Sequence, residues 1–375
     1  MRSDKRPEWD RQGLASLGQR CPGSFLCEYS SKEDMMAEKV NTAVIGLGMF
    51  GALQARIYAE SPLAELKAVV SRTPERAREI GERFGARWYT DYREMLAKEK
   101  DVHAVSIVNR DAEHKAPAIA CAQAGKDIFL EKPMAPTVEE ADEIIAAVDK
   151  AGVRMMVDFI LHFDPAYVAA HERIRAGEIG EVTTMFARRN GTRNGGYPGQ
   201  PQPYGQWSDI LISTGIHELE AMTWYAGSRV KHVYGESVTR LRTDWLGDDA
   251  YMALLRFDNG AIGSLESSRI LPPTDPARLS SRFDIVGTKG CIYIENVNKT
   301  LLICTDERCY HPDLSYWPIM RDQAVGDLRE SMTHFLTCLL EDKEPSVGAR
   351  EGRLAVQLVR AIQESCRTGE AVEVI

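Results

Sequence analysis

The chain has 375 residues, 44% of them apolar and 27% charged, with a formal net charge of −9. That size and composition fit a globular protein of about two domains, and the acidic balance excludes an electrostatic nucleic-acid footprint. No apolar run approaches the roughly 20 residues of a membrane-spanning helix, and the opening segment lacks the apolar stretch of a signal peptide, so a cytoplasmic location is expected.

Residues 1–38 are polar and charged, without a periodic apolar face, which predicts a disordered tail; Met35-Met36, just before the first apolar run, fits an artefact of an upstream start codon. Val40 to Ile45 then reads as a buried strand running directly into Gly46-Leu47-Gly48-Met49-Phe50-Gly51. This is a G-x-G-x-x-G turn between a strand and a helix predicted over about Phe50 to Ala59. Gly46 permits the tight turn, Gly48 lets a pyrophosphate approach the backbone, and Gly51 lets the helix pack on its strand. The helix start, with Met49 and Phe50, offers N–H groups and the positive dipole end to phosphate.

Leu66 to Ser71 reads as a second strand, followed by a helix capped at Thr73 with Pro74 at its first position and Gly85 at its end. A short helix is predicted over Asp91 to Lys98, a buried strand over Val102 to Asn109, a helix over His114 to Ala124 and a strand over Asp127 to Leu130. Thr137-x-x-Glu140 is a capping box opening a helix that ends near Gly152, and Val153 to Val157 is a further strand. Such alternation argues a doubly wound parallel sheet, a Rossmann domain over residues 39–160.

Residues 161–375 have a different texture. Ala250 to Phe257 and Ala261 to Ile270 flank Asp258-Asn259-Gly260, and Phe283 to Val286 and Cys291 to Glu295 flank Thr288-Lys289-Gly290. These are hairpin signals, and with helices over Gln323 to Leu340 and Ala349 to Cys366 they predict an α+β domain with a large open, mainly antiparallel sheet. The cysteines Cys21, Cys27, Cys121, Cys291, Cys304, Cys309, Cys338 and Cys366 show no C-x-x-C spacing, so buried, reduced thiols are expected. No residue set has metal-ligand spacing.

Read in order, the glycine turn, Glu131-Lys132-Pro133 after a short strand, His162-Phe163-Asp164-Pro165-Ala166-Tyr167, Gly177-Glu178-Ile179-Gly180-Glu181 and Gly215-Ile216-His217-Glu218-Leu219-Glu220 resemble the glucose–fructose oxidoreductase / inositol dehydrogenase / rhizopine catabolism family (Gfo/Idh/MocA). The resemblance covers residues 40–375, and the Glu-Lys-Pro triplet is its most specific mark. It implies a nicotinamide-dependent oxidoreductase acting on a sugar, inositol or related polyol, a cis peptide before Pro133, and a homo-oligomer, dimer or tetramer, formed through the C-terminal sheet.

Dehydrogenating a secondary alcohol requires a group that takes the hydroxyl proton. Lys132 stands just past a strand's carboxyl end, where open α/β sheets bind ligands, and partial desolvation should lower its pKa. The resemblance implies the same role for it and an active-site role for His217. Family members often carry Asp one turn before this histidine, where this chain has Ser213; Asp209, Glu218 or Glu220 are the available substitutes. Ser71-Arg72-Thr73 after the second strand lacks the carboxylate that holds a ribose 2′-hydroxyl, and Arg72, helped by Arg76, suits a 2′-phosphate, so NADP is favoured with NAD as the alternative. Asn109, His114 and Glu131 are further coenzyme candidates. His162, Asp164, Tyr167 and Asn190, with Arg188 and Arg189 beside it, are substrate candidates, joined by the aromatic residues Tyr204, Trp207, Tyr316 and Trp317. A redox-assisted glycosidase using bound NAD and a non-catalytic dinucleotide sensor remain as alternative readings.

Overall fold

Apolar runs separated by capped helices set the first layer of the structure. A computed structural model describes residues 39–193, 208–241, 243–277, 279–295, 301–307 and 309–374. The expected disorder of residues 1–38, the aromatic candidates Tyr204 and Trp207, and Cys21 and Cys27 lie outside them.

The first part runs β1 (Val40–Ile45), α1 (Met49–Glu60), β2 (Ala64–Val70), α2 (Pro74–Phe84), β3 (Arg87–Tyr89), α3 (Tyr92–Lys98), β4 (Ala104–Ile107), α4 (Lys115–Gln123), β5 (Asp127–Leu130), α5 (Val138–Ala151) and β6 (Met155–Val157). The strands form a parallel sheet in the order β3-β2-β1-β4-β5-β6. Strand order reverses between β1 and β4, so the crevice for a dinucleotide opens there, at the carboxyl ends. Capping follows the sequence at α5, where the Thr137 hydroxyl accepts from the Glu140 N–H at 3.2 Å. At α2 Thr73 occupies the cap position without a side-chain cap; its own N–H donates to the Ser71 hydroxyl at 3.2 Å. β3 was not predicted, being only three residues long.

The second part comprises α6 (Pro165–Arg175), β7 (Val182–Thr192), α7 (Ile216–Ala226), β8 (Val230–Val238), β9 (Ala250–Phe257), β10 (Ile262–Leu271), β11 (Leu279–Gly287) and β12 (Cys291–Glu295). It continues with the short hairpins β13 (Ile303–Cys304) with β14 (Cys309–Tyr310) and β15 (Ile319–Met320) with β16 (Gln323–Ala324), then α8 (Asp327–Leu340), α9 (Ala349–Thr368) and β17 (Val372–Glu373). The large sheet has the order β12-β11-β7-β10-β9-β8-β17. It is antiparallel except between β7 and β10, as the two hairpin signals imply. α8 starts later than predicted, while α9 starts at Ala349 as expected: Gln323 and Ala324 are spent in the β15–β16 hairpin, and Gly326, at φ 92°, turns the chain into α8.

α8 and α9 return to the first sheet. Leu328, Met332, Phe335 and Leu336 of α8 share a core with Val44, Ala55 and Phe129, and the rings of Phe129 and Phe335 lie 5.5 Å apart. One other core continues from the first sheet, through Ile107 and Leu130, by way of Val356 and Val359 of α9, to Leu255 and Leu265 of the second.

The expectation of reduced, buried thiols needs correction. Cys304 and Cys309 face each other across the β13–β14 pair and form a disulfide, because the hairpin register brings them opposite. Cys121, Cys291, Cys338 and Cys366 are free, but Cys291 is exposed and Cys366 half-buried.

Candidate active site

The glycine turn divides its work as the sequence predicts. A side chain at Gly46, which has φ 96°, would run into the backbone of Val108 and Asn109, 2.7 Å away. One at Gly51 would collide with the Gly46 carbonyl, whereas a Cβ on Gly48 would meet nothing within 4 Å. The turn is therefore closed on two sides by the protein's own backbone and open at Gly48. Gly48 is also the N-cap of α1 and supplies no capping side chain. That open side, at a helix start beside the sheet's reversal point, fits a pyrophosphate. Phe50 lies edge-on to Trp317 at 4.9 Å, which brings the segment before α8 against the turn.

At the far end of β2, Arg72 is 76% exposed and pairs with Glu113 at 3.0 Å. The Arg76 Nε donates to the Leu47 carbonyl at 3.1 Å, which ties this side chain to the glycine turn. Ser71 serves the local turn through Thr73. Asn109 donates to the Glu113 carbonyl at 2.8 Å, and its buried Oδ1 has no partner among the described residues. His114 is fully buried. Its Nδ1 lies 2.9 Å from the Pro133 carbonyl and its Nε2 3.1 Å from that of Asn109. Burial holds this ring's pKa down, and a neutral ring has one N–H for those two carbonyls. His114 thus braces the loop after β5.

That loop carries Glu131, Lys132 and the cis bond to Pro133. The Lys132 Nζ donates to the Ser213 carbonyl at 2.6 Å. Ser213 lies in a π-helical turn, Leu211–Gly215, that leads into α7. Widened turns of this kind recur at functional sites. Burial lowers the Lys132 pKa, Glu131 and Asp111 pull it back up, and Arg189 and Arg269 add to the lowering. Asp111 is held by the Ser208 hydroxyl, which donates to its Oδ2 at 2.6 Å.

His217, in the first turn of α7, is buried, and its Nδ1 has no partner among the described residues. Burial, then the charges of Lys132 and Arg189, push its pKa well below the usual histidine value. It is a neutral imidazole with an unused buried atom. None of the three acidic substitutes reaches it. Asp209 accepts from Tyr251 at 2.7 Å and Gln363 at 3.0 Å. Glu218 pairs with the buried Arg189 at 2.9 Å. Glu220 takes the His162 ring at 2.8 Å.

The remaining candidates separate. His162, bound to Glu220 and stacked on Trp224 at 3.9 Å, is tied into the α7 face. Asp164 caps α6 through the Ala166 N–H at 2.9 Å, and Tyr167 is buried with its carbonyl taken by Tyr225. All three are occupied structurally. Asn190 donates to Glu266 at 2.5 Å and leaves its buried Oδ1 without a partner among the described residues. Arg188 donates to Ser280 at 3.1 Å, and Arg189 lies over the Tyr316 ring at 5.7 Å. Sequence reasoning missed Gln54, Asp111, Asp158 and Arg269. Asp158 had a signal: it is a carboxylate inside the apolar run Met155 to Leu161.

Residues 40–159 match the oxidoreductase family described by an NAD-binding Rossmann fold, and residues 167–293 match the Gfo/Idh/MocA C-terminal domain. The chain is 29% identical over 344 residues to a scyllo-inositol 2-dehydrogenase (NAD(+)) of Bacillus subtilis strain 168, covering 90% of this chain and 97% of that one. It is 27% identical over 335 residues to a myo-inositol 2-dehydrogenase of Thermotoga maritima, covering 88% and 97%. The fold superposes on scyllo-inositol dehydrogenase from Lactobacillus casei, solved with NAD(H) and scyllo-inositol, with a TM-score of 0.73 at 18% identity over 90% of this chain and 99% of the other. With its glycine turn, its Glu-Lys-Pro loop and both matched domains, the chain belongs to the Gfo/Idh/MocA family of NAD-binding oxidoreductases.

Proposed function

We propose that the protein interconverts a secondary alcohol and a ketone on an inositol, sugar or related polyol, with Lys132 handling the hydroxyl proton. The single observation that carries this is the Lys132 amine, held by the Ser213 carbonyl at 2.6 Å and close enough to His217, whose Nδ1 has no partner among the described residues, to depress its pKa. A bound nicotinamide coenzyme supplies the hydride chemistry. The glycine turn takes its pyrophosphate at Gly48.

Burial and the two arginines favour the neutral form of Lys132, which can accept a proton, while its carbonyl contact aims the nitrogen. The neutral His217 can hydrogen-bond a second hydroxyl. Two fixed polar groups aimed at neighbouring hydroxyls suit a polyol better than a simple alcohol. The inositol specificity of the two relatives points the same way.

NADP is the favoured coenzyme, although the relatives named with a coenzyme use NAD. No carboxylate follows β2 to hold a 2′-hydroxyl, and the exposed Arg72 can exchange Glu113 for a 2′-phosphate. The chain also presents a second copy with an apolar sheet face: Tyr234, Met252 (60% exposed), Leu254 (59%), Ile262 and Tyr293 (65%) stand on the outer side of the large sheet. A homo-oligomer joined through that face is our reading. Incubating the purified protein with NADP or NAD and a panel of inositols and sugars, while following nicotinamide absorbance, tests the activity; tight coenzyme binding with no turnover would replace it with a sensor role.

A further inference from the structure

Behind Lys132 the carboxyl ends of β5 and β6 hold a polar group that the proposed chemistry does not use. Leu130 and Val157 are register partners on these strands, so Glu131 and Asp158 leave them side by side. The Asp158 N–H donates to the Leu130 carbonyl at 2.9 Å and fixes that spacing. The Glu131 carboxyl takes the Gln54 amide of α1 at 2.8 Å. The Asp158 carboxyl takes the Ser331 hydroxyl of α8 at 2.7 Å. The two carboxyls stand close enough to shift each other's ionisation. Asp158 is 2% exposed, and Gln54 and Ser331 are fully buried.

Carboxylates only accept hydrogen bonds. Two of them side by side, Asp158 buried and Glu131 half-buried, are stabilised by a proton between them. The charged and titratable groups facing the pair are Lys132 and Asp111 on the Glu131 side, and Lys132 with Tyr58 of α1 on the Asp158 side. Burial raises both carboxyls, Asp158 to about 6 and Glu131 well above its ordinary value. Both shifts favour one shared proton over two full negative charges.

The pair stands in the β4-β5-β6 half of the sheet. In a doubly wound fold each half receives one mononucleotide. The adenosine half belongs to β1-β2-β3 with its glycine turn and Arg72, which leaves this half for the nicotinamide. An oxidised nicotinamide ring is positively charged and a reduced one is neutral. We propose that Glu131 and Asp158 form a carboxyl pair that holds one proton in the coenzyme-free protein and releases it to solvent when the oxidised coenzyme binds, whereas the reduced coenzyme leaves it in place. The balance is simple: the pair goes from one negative charge to two, and the incoming ring brings the compensating positive charge. The proposal rests on the nicotinamide-binding reading above.

Isothermal titration of the full chain at pH 7.5 in phosphate and in Tris, whose ionisation heats differ, counts the protons exchanged. Oxidised NADP or NAD should release close to one proton per site and the reduced form close to none. Asp158→Asn should abolish that difference while still binding coenzyme. Lys132→Met should keep it, which separates the pair from the lysine as the proton's source. Equal proton counts for the two redox forms of the wild type would overturn the proposal. So would a difference that survives in Asp158→Asn but vanishes in Lys132→Met. Failure of every coenzyme form to bind would overturn the dehydrogenase reading as well, and so is distinguishable from either.

Discussion

The amine of Lys132 is bonded to the backbone carbonyl of Ser213, not to its side chain. The Ser213 hydroxyl turns instead toward that of Thr214, 3.4 Å away. The position where the family resemblance implies an Asp therefore contributes a main-chain atom here. Ser213→Ala should keep kcat within about threefold of wild type, since a 3.4 Å hydroxyl contact is a weak hydrogen bond. A loss of a hundredfold or more would show that the hydroxyl takes part in proton transfer.

Removing the amine is a different matter. General acid–base groups contribute on the order of 10²–10⁴-fold, and Lys132→Met should lower kcat by that much while coenzyme affinity changes little. Steady-state kinetics with the best polyol from the panel, alongside fluorescence titration of coenzyme, would check it. Activity within tenfold of wild type would assign the proton to another group.

The glycine turn predicts a split between folding and binding. Gly51→Ala places a methyl group on the Gly46 carbonyl and should lower thermal stability sharply. Gly48→Ala meets no protein atom within 4 Å and sits at an ordinary φ of −65°, so its melting temperature should stay near wild type. Its coenzyme affinity should nevertheless fall about tenfold or more, because the methyl fills the space a pyrophosphate needs. Equal behaviour of the two variants in melting and titration would contradict this assignment of the open side.

Coenzyme preference is testable at Arg72. A charge-assisted hydrogen bond to phosphate is worth roughly 1.5–3 kcal/mol, which is about a tenfold to hundredfold change. Arg72→Ala should raise KM for NADP by that factor and leave KM for NAD nearly unchanged. An equal effect on both coenzymes would reassign Arg72 to its surface pair with Glu113.

Burial raises the Asp158 pKa from 3.8 to about 6. A carboxyl that holds its proton more tightly when folded gives stability below its unfolded pKa and loses it as pH rises through the folded value. In the wild type this contribution fades between about pH 4 and pH 6. Asp158→Asn removes it, so the melting temperature of the variant relative to wild type should climb across that window. A difference that is flat with pH would mean the group ionises normally in the fold.

The parts that sequence alone reveals are those governed by local rules. The glycine turn, the Thr137 cap, the Asp258-Asn259-Gly260 hairpin and the strand before Lys132 all appear where spacing and turn chemistry put them. The partners of buried polar groups do not follow local rules. Asp209 stands four residues before Ser213, yet its carboxylate faces Tyr251 and Gln363. His162 stands in a motif that suggests the cleft, yet Glu220 and Trp224 claim it. Asp158 and Ser331 are 173 positions apart and meet only because α8 folds back. The Cys304–Cys309 disulfide likewise depends on a hairpin with no strong turn signal.

The return of α8 and α9 to the first sheet has a consequence for protein engineering. Phe129 is covered by Phe335, and Leu328, Met332 and Leu336 roof the same side. A graft that exchanged residues 39–160 as a self-sufficient cassette would strip this lid and present its apolar underside to water. Recombination with a relative should carry the last fifty residues along with the first sheet, as one inheritable piece split across the gene.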